Sequence, residues 1–483
     1  MANQPGSSSV DAAAESNLKL LAALHQALPA SMVSTDDADL DRYTADTYWK
    51  ALAARAAGAP LGRPEIVATP QSEEQVAAVL KVANLHRAPV VPWGGGSGTQ
   101  GASIPARGGI VLDLTGLNQI IEIDQLSLTV TAQAGLNGKE LETELNGLGL
   151  MLPHYPASVE WATVGGYVAA RGSGVLSTRY GKIEDLVLSL RVVLPTGEIV
   201  DTLPVPRHAV GPDFGHLFVG SEGTLGVITQ VKLQLAPLPP TRRFDLVSFP
   251  TIEAGVEAVR KGLQVGLRPS VVRMYDEIAT RLTLSPVVGE ALPGVSTVLC
   301  FEGDARVVEA ERQALLELAG AHGAQVLDGR LAEVWWDHRY DFYAPPHAPE
   351  LPAVWGTIDV VASYARIMDV YHAVQAAVAK PYEGRGLKLR SHLSHWYAWG
   401  AMIYCRFVLP DGGPDAMALH DQIWADGITA ALAAGAVMND HHGVGLKLAP
   451  YMRAQHGAGL DVLRRIKMAL DPNGIMNPGK LGL

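Results

Sequence analysis

The chain has 483 residues, of which 48% are hydrophobic and 18% charged. That composition supplies large apolar cores and excludes an intrinsically disordered chain. The net charge of −11 comes with no concentrated Lys/Arg patch, which excludes a nucleic-acid partner, and the two cysteines, Cys300 and Cys405, exclude a disulfide framework and a cysteine-rich metal site.

The opening stretch MANQPGSSSVDAAAESN has no positive n-region and carries Asp11 and Glu15, so it does not read as a signal peptide. Residues 1–16 are predicted to be disordered. Residues 17–28 have the Leu/Ala spacing of a helix. No apolar run of about 18 residues occurs, so no membrane-spanning helix is predicted. Two thiols in apolar, strand-like runs fit a cytoplasmic setting. Peripheral membrane contact and a homodimer are compatible with the sequence.

Residues 63–67, 75–85 and 90–93 read as strand, helix and strand, and Ser72 followed by Glu74 and Gln75 marks the helix start. Residues 94–101 form a glycine-dense loop. Short strands follow at 110–114, 120–123 and 128–132. A helix at 139–148 is ended by Gly149. Residues 157–186 are rich in Gly, Ser, Thr and Ala. Such small residues build a poor core, and the segment reads as backbone lying against a ligand. Residues 188–194 and 198–201 form a hairpin around Pro195-Thr196-Gly197. A second glycine-rich passage, 217–229, leads into a strand at 230–235.

Pro237-Leu238-Pro239-Pro240 breaks the pattern and marks a domain boundary. Strands at 297–302, 353–361, 387–393 and 402–408 then alternate with helices at 253–263, 307–321, 364–378 and 416–434. That order fits an antiparallel sheet with helices on one side. A helix at 459–470 precedes the closing run Asp471-Pro472-Asn473-Gly474-Ile475-Met476-Asn477-Pro478-Gly479-Lys480. The chain divides into a tail with an N-terminal helix (1–36), a first domain (37–240), a second domain (241–430) and a C-terminal segment (431–483).

Two phosphate motifs fail on context. Gly96-Ser97-Gly98-Thr99-Gln100-Gly101 matches G-x-G-x-x-G, but Ser103-Ile104-Pro105-Ala106-Arg107-Gly108-Gly109 follows and cannot open the helix a Rossmann unit needs. Residues 474–480 match G-x-x-x-x-G-K, but Leu481 stands where Ser or Thr would bind magnesium. The first loop is left as a nest of backbone N–H groups for a phosphate, or as a flexible surface loop. Gly220-Ser221-Glu222-Gly223-Thr224-Leu225-Gly226-Val227-Ile228-Thr229 is by itself equally a tight turn. Three small-residue stretches between 94 and 229 favour an extended ligand lying across backbone.

Residues 94–101, Thr163-Val164-Gly165-Gly166, Tyr180-Gly181-Lys182-Ile183-Glu184-Asp185-Leu186, 220–229 and 471–480 together resemble the vanillyl-alcohol-oxidase type of FAD-binding fold. The likeness runs from about residue 37 to the C-terminus. It implies an α+β protein: a two-part FAD-binding domain made of 37–240 and the returning segment 431–483, and an α+β cap at 241–430 whose antiparallel sheet is flanked by helices. In that family the first loop holds the FAD pyrophosphate, the small-residue segment lies along the isoalloxazine, and the second glycine passage supports the adenine end. The resemblance therefore implies cofactor contacts at Pro92, Gly94, Gly95, Gly96, Ser97, Gly98, Thr99 and Gly101. It extends them to Pro156, Thr163, Val164, Gly165, Gly166, Ala170, Ser173, Gly174 and Tyr180, and then to Glu222, Gly223, Gly226, Val227, Ile228 and Asn477. No histidine sits among 94–98, where covalent members attach flavin, so non-covalent FAD is expected.

Within the fold, the chain is most similar to a branch holding alkylglycerone-phosphate synthases and D-lactate and glycolate dehydrogenases. Val271-Val272-Arg273-Met274-Tyr275-Asp276, Phe301-Glu302-Gly303-Asp304, Gly400-Ala401-Met402-Ile403-Tyr404 and His441-His442-Gly443-Val444-Gly445 carry this likeness. It implies that Arg273, Tyr404 and the histidine run lie at the active site. The synthases carry three histidines where this chain has Asp440-His441-His442. His392 and His395 stand where the synthases typically have none.

These departures favour oxidation of a 2-hydroxy acid (D-lactate- or glycolate-like) or a related alcohol, with hydride transfer to flavin N5. The alternative is a synthase-like transferase, and a third reading is a flavoprotein that only binds. His442 is the candidate base, since histidine titrates at about 6.5. Arg273 would fork a carboxylate or phosphate, or pair with Asp276 or Glu277. The Tyr404 hydroxyl needs a partner, either substrate or a core carbonyl. His441, His392 and His395 complete the catalytic candidates. On a regular strand His392 and His395 face opposite ways, which argues against a shared metal. No metal site is predicted, although D-2-hydroxy-acid relatives sometimes hold a divalent ion in this region. A small anionic substrate is expected, and the electron acceptor is not legible. Trp335, Trp336, Trp355, Trp396, Trp399 and Trp424, with Tyr340, Phe342 and Tyr343, line a substrate channel or, as the preferred reading, fill the cap core.

Overall fold

A computed structural model describes residues 7–341 and 352–483; Phe342 and Tyr343 lie outside these. The first helix spans Ser7–Ala27 and so begins well inside the stretch expected to be disordered. Alanine at positions 12–14 favours helix. Leu20, Leu24 and Leu28, spaced by four, bury one face against Val76, Leu80 and Ala83 of the helix Glu73–His86. That second helix starts where expected, with Ser72 Oγ accepting from Gln75 N at 3.3 Å.

Among the described residues three larger sheets follow, beside a two-stranded pair of Leu150–Met151 with Ala236–Pro237. In the first, Ile66–Ala68 and Val90–Trp93 run parallel to Ile110–Asp113, with Val33–Ser34 antiparallel at the edge. The C-terminal run joins it: Val90 N donates to Ile475 O at 2.7 Å, and Asn477 N donates to Val90 O at 2.8 Å. The second sheet is antiparallel, in the order Ile120–Asp124, Thr129–Gln133, Val227–Gln234, Val187–Val193, Ile199–Asp201. It packs on the helices Gly138–Gly147 and Val164–Ala170, the latter formed by the small-residue segment.

The third sheet has seven antiparallel strands: Gln325–Val326, Thr241–Phe249, Val295–Gly303, Val271–Tyr275, Lys388–Trp396, Gly400–Leu409 and Val354–Ser363. The period of two divides its faces. Leu393, Ile403 and Val360 join the core beneath the helices Ile252–Gln264, Ala305–Ala321, Ile367–Val374 and Ala416–Ala433. Their strand neighbours His392, Tyr404 and Asp359 lie side by side in register on the opposite face, with Tyr275 beside His392. The sequence reading of an α+β chain holds.

One strand departs from regularity. The pairing of Lys388–Trp396 with Gly400–Leu409 shifts register between Ser394 and Trp396, and His395 has φ +50°. This β-bulge turns His395 to the side on which His392 lies, which corrects the expectation that the two face apart. Arg273 sits mid-strand in Val271–Tyr275, not at a strand end.

Candidate active site

A cleft runs across the first two sheets, walled by residues 92–99, Pro156, Thr163, Gly165, Gly166, Ala170, Ser173, Glu222, Gly223, Gly226, Val227 and Ile228, and bordered by His441 and His442. Close packing explains why its first loop is glycine. A Cβ on Gly95 would fall 1.7 Å from Trp161 O. Gly96 has φ +63°, and a Cβ there would meet the Trp93 ring at 2.5 Å. Five expected contacts stand behind this wall. Gly101 packs on Tyr48 and Ile104, Val164 is in the core, and Gly174 packs on the His154–Tyr155 backbone. Tyr180 joins an apolar cluster with Val175 and Leu176. Asn477 Nδ2 donates to Ala102 O at 2.9 Å and to Glu222 O at 2.6 Å, and so ties the walls together.

Sequence reasoning missed His154 and Tyr167, which also line the cleft. Both His154 ring nitrogens, Tyr167 OH and Thr99 Oγ1 are buried without a protein hydrogen-bond partner. Burial pulls the His154 imidazole down to about 3, so it is neutral. A backbone-lined trough with unmet donors and acceptors suits an extended ligand that supplies the missing partners, and FAD fits it.

The catalytic candidates converge at the end bordered by the histidines. The His441 and His442 rings are 4.1 Å apart, and His395 meets His441 edge-on at 4.9 Å. His392 stacks on Tyr404 at 4.6 Å, and Tyr404 lies 6.2 Å from His441 and 5.7 Å from His442. The Arg273 guanidinium lies 5.8 Å from the Tyr275 ring and 5.9 Å from the Trp335 ring. Among the described residues it has no carboxylate at ion-pair distance, and its Nε is buried without a partner. Asp276 is instead engaged by Ala279 N at 2.7 Å, Ser391 N at 3.0 Å and Tyr371 OH at 3.2 Å.

Two acids organise the histidines: Asp359, which was not singled out in the sequence, and Asp440, noted there only as a departure from the synthases' histidine run. Asp359 is fully buried, with Oδ1 2.9 Å from His442 Nδ1 and Oδ2 3.8 Å from His441 Nδ1. The former is a close ion-pair contact, not an aligned hydrogen bond. Asp440 lies 3.2 Å from His441 Nδ1 and accepts from Tyr397 OH at 3.1 Å. Lys182 Nζ donates to Asp440 O and lies 3.8 Å from its Oδ1. Burial opposes ionisation of Asp440, but the facing Lys182 and histidines outweigh it and hold the carboxyl well below its usual range. Burial lowers His441 and takes His392 and His395 well below the usual histidine range. Burial likewise raises the Tyr404 phenol, which keeps its proton.

Donor atoms of Asp359, His441 and His442, and of His395, Asp440 and His441, lie close enough to hold a metal ion, whereas His392 belongs to neither group. Asp440 is already matched by Lys182, which argues against a cation in the second group. Of the tryptophans, Trp335, Trp396 and Trp424 are core, as preferred from sequence, and Trp399 is 57% exposed.

Glu222 fixes the loop that follows His442: its carboxylate accepts from Val444 N and from Gly445 N at 2.9 Å. Burial raises it to about 7. The folded chain therefore binds this proton more tightly than the unfolded chain. That contribution to stability is full below about pH 4.5 and is lost as pH rises to 7. Glu222→Gln is expected to raise the melting temperature relative to wild type more at pH 8 than at pH 5. Equal shifts at both pH values would contradict this.

Two family descriptions match the chain: "FAD binding domain" over residues 64–203 and "FAD linked oxidases, C-terminal domain" over residues 238–481, about half the chain. The alkyldihydroxyacetonephosphate synthase of Trypanosoma brucei brucei is 29% identical over 452 residues, covering 86% of this chain and 73% of that protein. The glycolate oxidase subunit GlcD of Bacillus subtilis (strain 168) is 28% identical over 426 residues, covering 86% and 89%. A solved p-cresol methylhydroxylase with substrate bound superposes with a TM-score of 0.80 at 18% identity, covering 97% of each chain, and so shares the fold. No helix among the described residues is long and apolar enough to cross a membrane. With the cleft, the cap sheet and both family descriptions in agreement, the chain belongs to the FAD-linked oxidases and is an FAD-dependent oxidoreductase.

Proposed function

We propose that the protein oxidises a small anionic 2-hydroxy acid, D-lactate- or glycolate-like, or a related alcohol. The observation that carries this reading is the pair of acid-backed histidines at the end of the cleft, with Arg273 beside Tyr275 and, among the described residues, without a carboxylate at ion-pair distance. FAD, when bound in that cleft, supplies the two-electron acceptor. Arg273 forks the substrate acid group from one side. His442 takes the hydroxyl proton, and Asp359 stabilises the resulting imidazolium from 2.9 Å. Tyr404 donates a hydrogen bond to the substrate oxygen and orients it. The likeness to GlcD supports the hydroxy-acid class, since that protein's name gives glycolate as its substrate.

Anaerobic mixing of the yellow protein with D- and L-2-hydroxy acids tests this. One member of the panel is expected to bleach the flavin band. A second reading, a redox-neutral transferase, draws on the likeness to the trypanosome synthase, while Asp440, His392 and His395 speak against it. No bleaching by any acid would move the assignment to that transferase or to an alcohol outside the panel.

A further inference from the structure

The bulge at His395 does more than turn a side chain inward. It places one imidazole between two hydroxyls and a second histidine. Ser177 Oγ lies 2.6 Å, and Ser173 Oγ 3.0 Å, from the same ring nitrogen, His395 Nδ1. A single lone pair cannot accept from both hydroxyls. A protonated Nδ1 shared between the two hydroxyl oxygens satisfies the chemistry. His395 also meets His441 edge-on at 4.9 Å, and a ring nitrogen of each lies within 4.8 Å of an Asp440 oxygen. Ser173 lines the cofactor cleft and Ser177 does not. A left-handed backbone at a residue other than glycine is held only where its surroundings impose it, and such positions gather at functional sites.

We propose that His395 and Ser173 form a proton relay between the histidine pair and the cofactor cleft. The proposal rests on His442 as the group that takes the substrate hydroxyl proton, and on the passage of that proton to His441, whose ring lies 4.1 Å away. In the relay the His395 imidazole accepts a proton from His441 while its Nδ1 proton passes to Ser173 Oγ. The Ser173 hydroxyl proton is in turn released toward the cleft. The net result is one proton carried from His441 to the cleft with no electrons moved: His441 ends neutral, Ser173 and His395 keep their charge, and His395 is left in its other tautomer. Burial keeps His395 neutral at rest, so its ring can receive the proton. The charged and titratable groups around it are His441, Asp440, Lys182, Arg273 and His392. Ser177 Oγ shares the ring nitrogen but does not line the cleft, so it lies outside the relay.

The test uses holoenzyme whose flavin has been photoreduced with EDTA and light, so no substrate is needed. A stopped-flow pH jump then follows the absorbance change as the reduced flavin exchanges its proton. Wild type and Ser177→Ala are expected to equilibrate at similar rates. Ser173→Ala and His395→Gln are expected to be at least roughly tenfold slower and to reach the same final spectra, because the relay sets a rate and not an equilibrium. The two slow variants are independent, so misfolding of one leaves the other. Unchanged rates in both, or slowing by Ser177→Ala and not by Ser173→Ala, would overturn the relay. Failure of the hydroxy-acid panel would leave this measurement intact and would count only against the substrate assignment.

Discussion

His442→Ala is expected to lower the rate of flavin reduction by roughly 10²–10⁴-fold while FAD stays bound. The magnitude is that of a lost general base, and the geometry explains why His442 carries it. Its Nδ1 is 2.9 Å from a carboxylate with no solvent exposure, so the charge it gains is stabilised where water cannot screen it. Its partner His441 is divided between Asp359 at 3.8 Å and Asp440 at 3.2 Å, and the second acid is already matched by Lys182. Asp359→Asn keeps the shape and removes the charge. It should slow reduction by less than His442→Ala, since an imidazole remains, and combining the two changes should cost little beyond His442→Ala alone. Rapid-mixing measurement of flavin bleaching checks all three. Reduction by His442→Ala at the wild-type rate would remove His442 from the mechanism. Additive losses in the double variant would remove Asp359 as its partner.

Many of the residues that line the cleft could be read from the sequence, and those that support it from behind could not. Gly94, Gly95, Gly96 and Gly165 could be picked out because close packing there leaves no room for a Cβ, and that demand is local. Arg273, Tyr404, His441 and His442 could be named from short runs, although their meeting depends on register between strands far apart in the chain. Asp359 left a signal that went unused: a lone acid inside the apolar run 354–361, where burial without a partner would be costly. Lys182 stood in a quoted motif without a role, because its partner Asp440 lies 258 residues away. His395 could not be oriented at all. Period-two reasoning assigns it to the wrong face, and nothing in Ser391-His392-Leu393-Ser394-His395 announces the bulge that reverses the assignment. The N-terminal helix was misjudged for the opposite reason. Its polar, low-complexity start suggested disorder, while alanine content and the docked leucines set the outcome.

Gly95→Ala should strip the protein of its cofactor. The added Cβ would lie 1.7 Å from Trp161 O and 2.6 Å from its carbonyl carbon, and both are backbone atoms that cannot swing aside. Either the first loop or the 157–162 turn must shift, and overpacking of this kind costs about 3 kcal/mol, more than a hundredfold in an equilibrium constant. Because both segments line the cleft, much of that cost should fall on FAD binding. Gly320→Ala is the control: its Cβ would meet nothing within 4 Å, and it lies outside the cleft. After desalting, Gly320→Ala is expected to remain yellow and Gly95→Ala to emerge colourless. A thermal melt of each apoprotein separates lost binding from lost folding: a Gly95→Ala chain that melts near wild type but holds no flavin places the strain at the cleft. Full flavin retention by Gly95→Ala would mean that the loop does not pack on Trp161 as described.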